Sequence, residues 1–182
     1  MKKLVGILMG SDTDLEVVSE AAKILDELQI SYEISVLSTH RAPEETAKYA
    51  KLAKGKGLKV LIAAAGGAAA LPGSVASQTT LPVIGIPIKA KSLDGIDSLL
   101  SISQMPPGVP VATVGVNAAK NAGILAAQIL ALSDTKIAGK VEDYKEKLRH
   151  EVLSKNSKIQ KLGWDKYLKD KTATTEGTEN RT

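Results

Sequence analysis

Two histidines occur in this chain, and only His40 stands where acid–base chemistry could use it. It belongs to Ser38-Thr39-His40-Arg41-Ala42-Pro43, a run that follows an alternating apolar stretch and opens into a helical pattern. Histidine ionises near neutral pH, so it can both give and take a proton there. Arg41 beside it offers a planar grip on a phosphate. Two further stretches carry comparable groups. Gly10-Ser11-Asp12-Thr13-Asp14 follows the first apolar run and supplies the Ser11 hydroxyl and the Asp14 carboxylate, which suits ribose hydroxyls. Ala65-Gly66-Gly67-Ala68-Ala69-Ala70-Leu71-Pro72-Gly73 follows the third apolar run, where small residues let backbone N–H groups come close to a ligand. Each has a plainer role open to it. Ser11 and Asp14, three residues apart, resemble a capping box at a helix start, where a phosphate or sugar could equally bind. The Gly66-Gly67 pair could equally be a packing turn. His150, in a charged helical pattern, is read as a solvated surface residue.

Apolar periodicity gives the elements that must position these loops. Leu4–Met9 and Val60–Ala64 are continuous apolar runs of strand length, as buried parallel strands require. Tyr32, Ile34 and Val36 alternate like an outer strand, Leu81–Pro87 is a short run bounded by prolines, and Val111–Val116 is a fifth. Between them, Val17, Ala21, Ile24, Leu25 and Leu28 fall at helical spacing, and Pro43-Glu44-Glu45 is a good first turn for a helix ending near Gly55 or Gly57. Leu93–Ile102 is predicted helical with a cap near Asp94, and Gln104–Pro110 is too rich in proline for regular structure. Ala118–Ala131 is a small-residue helix with Ala122, Leu125, Ala126 and Ile129 on one face.

Five strands alternating with helices predict a three-layer αβα sandwich with a flavodoxin-like five-stranded parallel sheet, order 2-1-3-4-5. That order brings the loops after strands one, two and three to one end of the sheet, so the three candidate sites become one. Residues 1–132 would form this domain. Residues 133–171 would be a helical extension packed on the same domain or on a neighbouring subunit. It begins with a charged helix from Lys136 to about Lys155 whose stripe is Ile137, Val141, Tyr144, Leu148 and Val152. A short docked segment around Gly163, Trp164, Tyr167 and Leu168 follows, and 172–182 is expected to be disordered.

Composition narrows the function classes. The 182 residues include no cysteine, so disulfides and thiolate metal sites are excluded, and two distant histidines make no zinc site. Residues 1–132 carry 12 Lys/Arg against 11 Asp/Glu, and the tail carries 12 against 9, so the net charge of +4 is mainly a tail property. With aromatics at 3%, no stacking platform for nucleic acid exists. No signal peptide or membrane span is seen, which makes the cytoplasm the expected compartment. The residues alone point to a phosphorylated sugar or nucleotide ligand and to acid–base catalysis by one side chain.

The joint run of Gly10-Ser11-Asp12-Thr13-Asp14, Ser38 to Pro43, Ala65-Gly66-Gly67-Ala68-Ala69, Leu71-Pro72-Gly73, Asp97-Ser98-Leu99-Leu100-Ser101-Ile102 and Gln104-Met105-Pro106 through Val109-Pro110-Val111 resembles the PurE family. Those are the N5-carboxyaminoimidazole ribonucleotide mutases of purine biosynthesis, and the likeness covers about residues 4 to 132. It implies a homo-octamer that needs no metal or organic cofactor. It implies His40 as general acid and base, substrate contacts from Ser11, Asp14 and Arg41, and Ser38, Gly66 and Gly67 near the phosphate or a trapped carboxyl group. Two departures stand out: the family usually has histidine at the position of Ala70, and alanine and threonine at those of Thr39 and Ala42. An aminoimidazole ribonucleotide carboxylase using free carbon dioxide is the nearest rival, and a low-activity nucleotide-binding homologue another. A flavin carrier would need aromatic residues in these loops, and a phosphoacceptor domain an aspartate where Ala63-Ala64-Ala65 stands.

Overall fold

The computed structural model describes residues 2–179, with side chains up to 171. Two compact units make up the chain, 1–141 and 142–182.

The first unit is built on five parallel strands: β1 Val5–Met9, β2 Tyr32–Val36, β3 Val60–Gly66, β4 Val83–Ile88 and β5 Ala112–Thr113, in the order β2-β1-β3-β4-β5. β1 pairs with β2 through Val5 opposite Tyr32 and with β3 through Val5 opposite Val60. The helices are α1 Leu15–Glu27, α2 Pro43–Lys56, α3 Leu71–Ala76, α4 Ile96–Ser103 and α5 Ala119–Ala131, with α6 beginning at Thr135. β1, β4 and Val60–Ala65 of β3 are buried throughout, as strands covered on both faces must be. On one face α1 and α5 pack together, with Val18, Ala21, Ile24 and Leu25 of α1 buried and Ala119, Ala122, Ala126 and Ala127 of α5 buried. The other face carries a core of Leu8, Ala50, Ala53, Leu61, Leu71, Val75 and Ile102, drawn from strands and from α2, α3 and α4. The three-layer sandwich and its strand order are those the periodicity predicts.

α2 has sound ends. Pro43 starts it, Glu44 and Glu45 face the positive end of its dipole, Lys54 and Lys56 the negative end, and Gly57 at φ +95° closes it.

Several local expectations need correction. Pro87 lies inside β4, opposite Ala65, and does not end it. Its carbonyl accepts from Asn117 N at 2.8 Å, on the β5 side and beyond the end of β5, so its missing N–H costs no ladder bond. β5 keeps only two of the six residues expected, because it is an edge strand whose residues are exposed or half-buried, and Asn117 at φ +56° turns the chain soon afterwards. The helix expected from Leu93 starts at Ile96 instead. Leu93, Asp94 and Gly95 all take positive φ, and a side chain at Gly95 would come within 2.7 Å of Val116 Cγ1. The Asp94 carboxylate pairs with Lys89 Nζ at 3.0 Å and caps nothing. The buried face of α5 runs through Gly123, Ala127 and Leu130 as well as Ala122 and Ala126, and leaves Leu125 and Ile129 half-buried.

Ile137 and Val141 are buried, which carries the first unit nine residues past the expected boundary at 132. The second unit contains the rest of α6, which ends at Leu162, and α7 Trp164–Glu179, separated by Gly163 at φ +77°. Tyr144 is buried, but Leu148 and Val152 of the expected stripe are exposed. Trp164 and Leu168 are exposed as well. α7 also carries helix through most of the stretch expected to be disordered: it contains no proline, and Asp165 and Lys169 pair at 3.0 Å one turn apart. Residues 180–182 of that stretch lie outside those described. Among the described residues no helix is long and apolar enough to cross a membrane.

Candidate active site

At the carboxyl ends of β1, β2 and β3 the three loops line one cleft of ≈ 410 Å³, a size that suits a mononucleotide. Its walls are Gly10, Ser11 and Asp14 from the first loop, Ser38, Thr39, His40 and Arg41 from the second, and Ala65, Gly66, Ala69, Ala70 and Leu71 from the third. Of the seven residues singled out from sequence, six are here. Gly67 is the exception: its φ of +63° turns the chain after β3, and it does not reach the wall. Ala69 follows at φ +45°, a conformation that costs a side-chain-bearing residue energy and is held by burial and by its N–H bond to the Gly66 carbonyl at 3.1 Å.

Ser11 caps the short 3-10 turn Asp12–Asp14, accepting from Thr13 N at 3.4 Å and from Thr13 Oγ1 at 2.9 Å. Asp14 flanks α1 without capping it by its side chain. Burial pushes the Asp14 carboxyl above its ordinary range, opposed by hydrogen bonds from the Ser11 N–H and the Thr13 hydroxyl and reinforced by the nearby Asp12 charge. Both residues keep oxygen acceptors at the cleft, so the capping role and a ligand role coexist.

The second loop is tied down from both sides. Arg41 donates through one guanidinium nitrogen to the Gly10 carbonyl at 2.7 Å, and its backbone N–H donates to Ser38 Oγ at 3.3 Å. Thr39 Oγ1 donates to Ser74 Oγ of α3 at 2.8 Å. His40, between them, is exposed and makes no side-chain hydrogen bond among the described residues. His150, by contrast, lies on the exposed surface of α6 beside Glu146 at 3.1 Å.

Sequence reasoning placed Ala69 and Leu71 in the loop after β3 but gave neither a role of its own in the site. They are the apolar part of the wall, and the only signal for them was their position just after the glycine pair. The arrangement joins one proton carrier, one fixed cation, three hydroxyls and a carboxylate to a partly apolar wall. Such a site can hold a phosphorylated ribose and move a proton on an attached ring.

Residues 4–151 match the AIR carboxylase family. The N5-carboxyaminoimidazole ribonucleotide mutase of Thermotoga maritima is 56% identical over 167 residues, 92% of this chain and 98% of that protein. The enzyme of the same name from Pyrococcus horikoshii is 52% identical over 169 residues, 93% of this chain and 96% of that protein. The crystal structure of Treponema denticola PurE superposes with a TM-score of 0.80 at 33% identity, covering 86% of this chain and 98% of that one. Sharing sequence with these enzymes along nearly all of its length, and their fold, the chain belongs to the AIR carboxylase family.

Proposed function

We propose that this protein is an isomerase that converts N5-carboxyaminoimidazole ribonucleotide into 4-carboxy-5-aminoimidazole ribonucleotide in de novo purine biosynthesis. The observation that carries this reading is the meeting of His40, Arg41, Ser11, Asp14 and Ser38 on one cleft with an apolar wall. The two relatives named for that reaction, matched over almost their full length, support the choice of substrate.

In this reading Arg41 and Ser38, with the Gly66 backbone, hold the phosphate or the migrating carboxyl group, and Ser11 and Asp14 hold the ribose. His40 gives a proton to the exocyclic nitrogen as its bond to the carboxyl carbon breaks, leaving aminoimidazole ribonucleotide and carbon dioxide. The C4 atom of the ring then attacks carbon dioxide, and His40 takes the C4 proton. One proton is delivered and one recovered, so the imidazole ends as it began. Ala65, Ala69 and Leu71 give the carbon dioxide a water-poor surface to rest against. The scheme calls on no cofactor. The protein would work in the cytoplasm as a homo-octamer, its extension packed on the same domain or on a neighbouring subunit. The exposed apolar residues Leu93, Ile96 and Leu100 support assembly.

The test is conversion of the N5-carboxylated nucleotide without added bicarbonate, by this protein and by His40→Asn. The expected result is isomerisation that falls in the variant by a factor on the order of 10²–10⁴. Carboxylation of aminoimidazole ribonucleotide only when bicarbonate is supplied would make the protein a carboxylase instead. Silence in both assays would overturn the catalytic reading, and with Ala70 on the cleft wall Ala70→His would be the first variant to try.

A further inference from the structure

His40 is the proton carrier of the proposed reaction, yet among the described residues no side chain hydrogen-bonds its ring. Its position must therefore come from the backbone on either side. On the C-terminal side Arg41 is anchored twice, to the Gly10 carbonyl and to Ser38 Oγ. On the N-terminal side the one side-chain anchor of Thr39 among the described residues is the bond from its Oγ1 to Ser74 Oγ, between residues 35 apart in sequence and partly shielded from water. Ser74 itself sits on firm ground. Its N–H donates to the Ala70 carbonyl at 3.0 Å, and its carbonyl accepts from Ser77 Oγ at 2.8 Å. The neighbouring Gly73 lies so close to Met105 that an added methyl group would come within 2.9 Å of its sulfur. Leu71, Pro72 and Val75 of the same helix are buried. α3 is thus wedged in place, and Thr39 couples the His40 loop to it.

We propose that the Thr39–Ser74 hydroxyl pair is a positioning latch that fixes His40 over the cleft. The proposal rests on the mutase reading for its kinetic consequence but not for its structural one. Proton transfer needs donor and acceptor within hydrogen-bond reach, and a small displacement of the carrier costs rate without loosening the ligand. The residues assigned to the phosphate and ribose keep anchors of their own, so cutting the latch lowers kcat and leaves KM nearly unchanged.

Thr39→Val keeps shape and removes the donor, Ser74→Ala removes the acceptor from the other side, and Thr39→Ser keeps the hydroxyl. With only two histidines in the chain, isotope-labelled imidazole gives two Hε1 resonances, assigned by His150→Gln. The expected result is that Thr39→Val and Ser74→Ala each displace or broaden the His40 resonance, leave that of His150 in place, and lower kcat about tenfold. Joined in one protein they should do no more than either alone, because both break the same bond. Thr39→Ser should behave as the parent. An unmoved His40 resonance in both single variants would overturn the latch, and so would single effects that multiply in the double variant, or a Thr39→Ser protein as impaired as Thr39→Val. If the parent protein lacks isomerase activity, the mutase reading fails, while the resonances still decide for or against the latch.

Discussion

Asp14 forms part of the cleft wall with its carboxyl pushed above its ordinary value of 3.8, chiefly by burial. A carboxyl that binds its proton more tightly when folded takes up protons on folding. Its contribution to stability therefore falls as pH rises through 3.8 towards the raised value, and above that it is a constant penalty. Asp14→Asn keeps an acceptor oxygen and removes the charge. Its melting temperature should lie at or above that of the parent at pH 7, with the gap closing as pH falls below about 4. Its KM should rise about tenfold, the usual cost of losing a charged hydrogen-bond acceptor. A scan of melting temperature against pH, paired with initial rates, checks both. At this scale the sequence was informative because chemistry-bearing residues sat directly after strand-length runs. Ser11, Asp14, Ser38, His40, Arg41 and Gly66 all reach the cleft for that reason. The links that hold them were not legible, since Arg41 to Gly10 and Thr39 to Ser74 are set by tertiary distance and leave no local pattern.

Between elements, α1 and α5 come close together at Gly123. A methyl group there would collide with Ile24 Cγ2 and come within 2.9 Å of the Ala21 carbonyl oxygen. Alanine is the better helix former by about 1 kcal/mol, but overpacking costs about 1–3 kcal/mol, so Gly123→Ala should be destabilising on balance. Gly55 in α2 meets nothing within 4 Å, and Gly55→Ala should stabilise by up to about 1 kcal/mol. Urea denaturation of the two variants checks the contrast. The small residues of α5 were visible in sequence, but the centre of their buried face was not. Period alone placed Leu125 and Ile129 there, whereas the need for α1 to come close selected Gly123 and Ala127. Pro87 was misjudged for a related reason: whether a proline ends a strand depends on which neighbour its nitrogen faces.

For the whole molecule, apolar runs and their alternation with helices sufficed to order the sheet, because right-handed crossovers leave few ways to arrange five parallel strands. Exposed apolar surface was harder to see. Ile96 and Leu100, one turn apart on α4, are 56% and 49% exposed, although their spacing alone would serve a core equally well. If the proposed octamer buries them, Ile96→Glu with Leu100→Glu should reduce the mass in light scattering to smaller species while the far-ultraviolet circular dichroism is kept. An unchanged mass would remove α4 from the assembly interface.

The free imidazole of His40 has a thermodynamic corollary. An exposed ring with no hydrogen bond among the described residues keeps its torsional freedom until a ligand arrives, so ordering it costs binding about 0.5–1.5 kcal/mol. Association of the nucleotide should then carry an unfavourable entropy share that His40→Ala, with no ring to order, does not show.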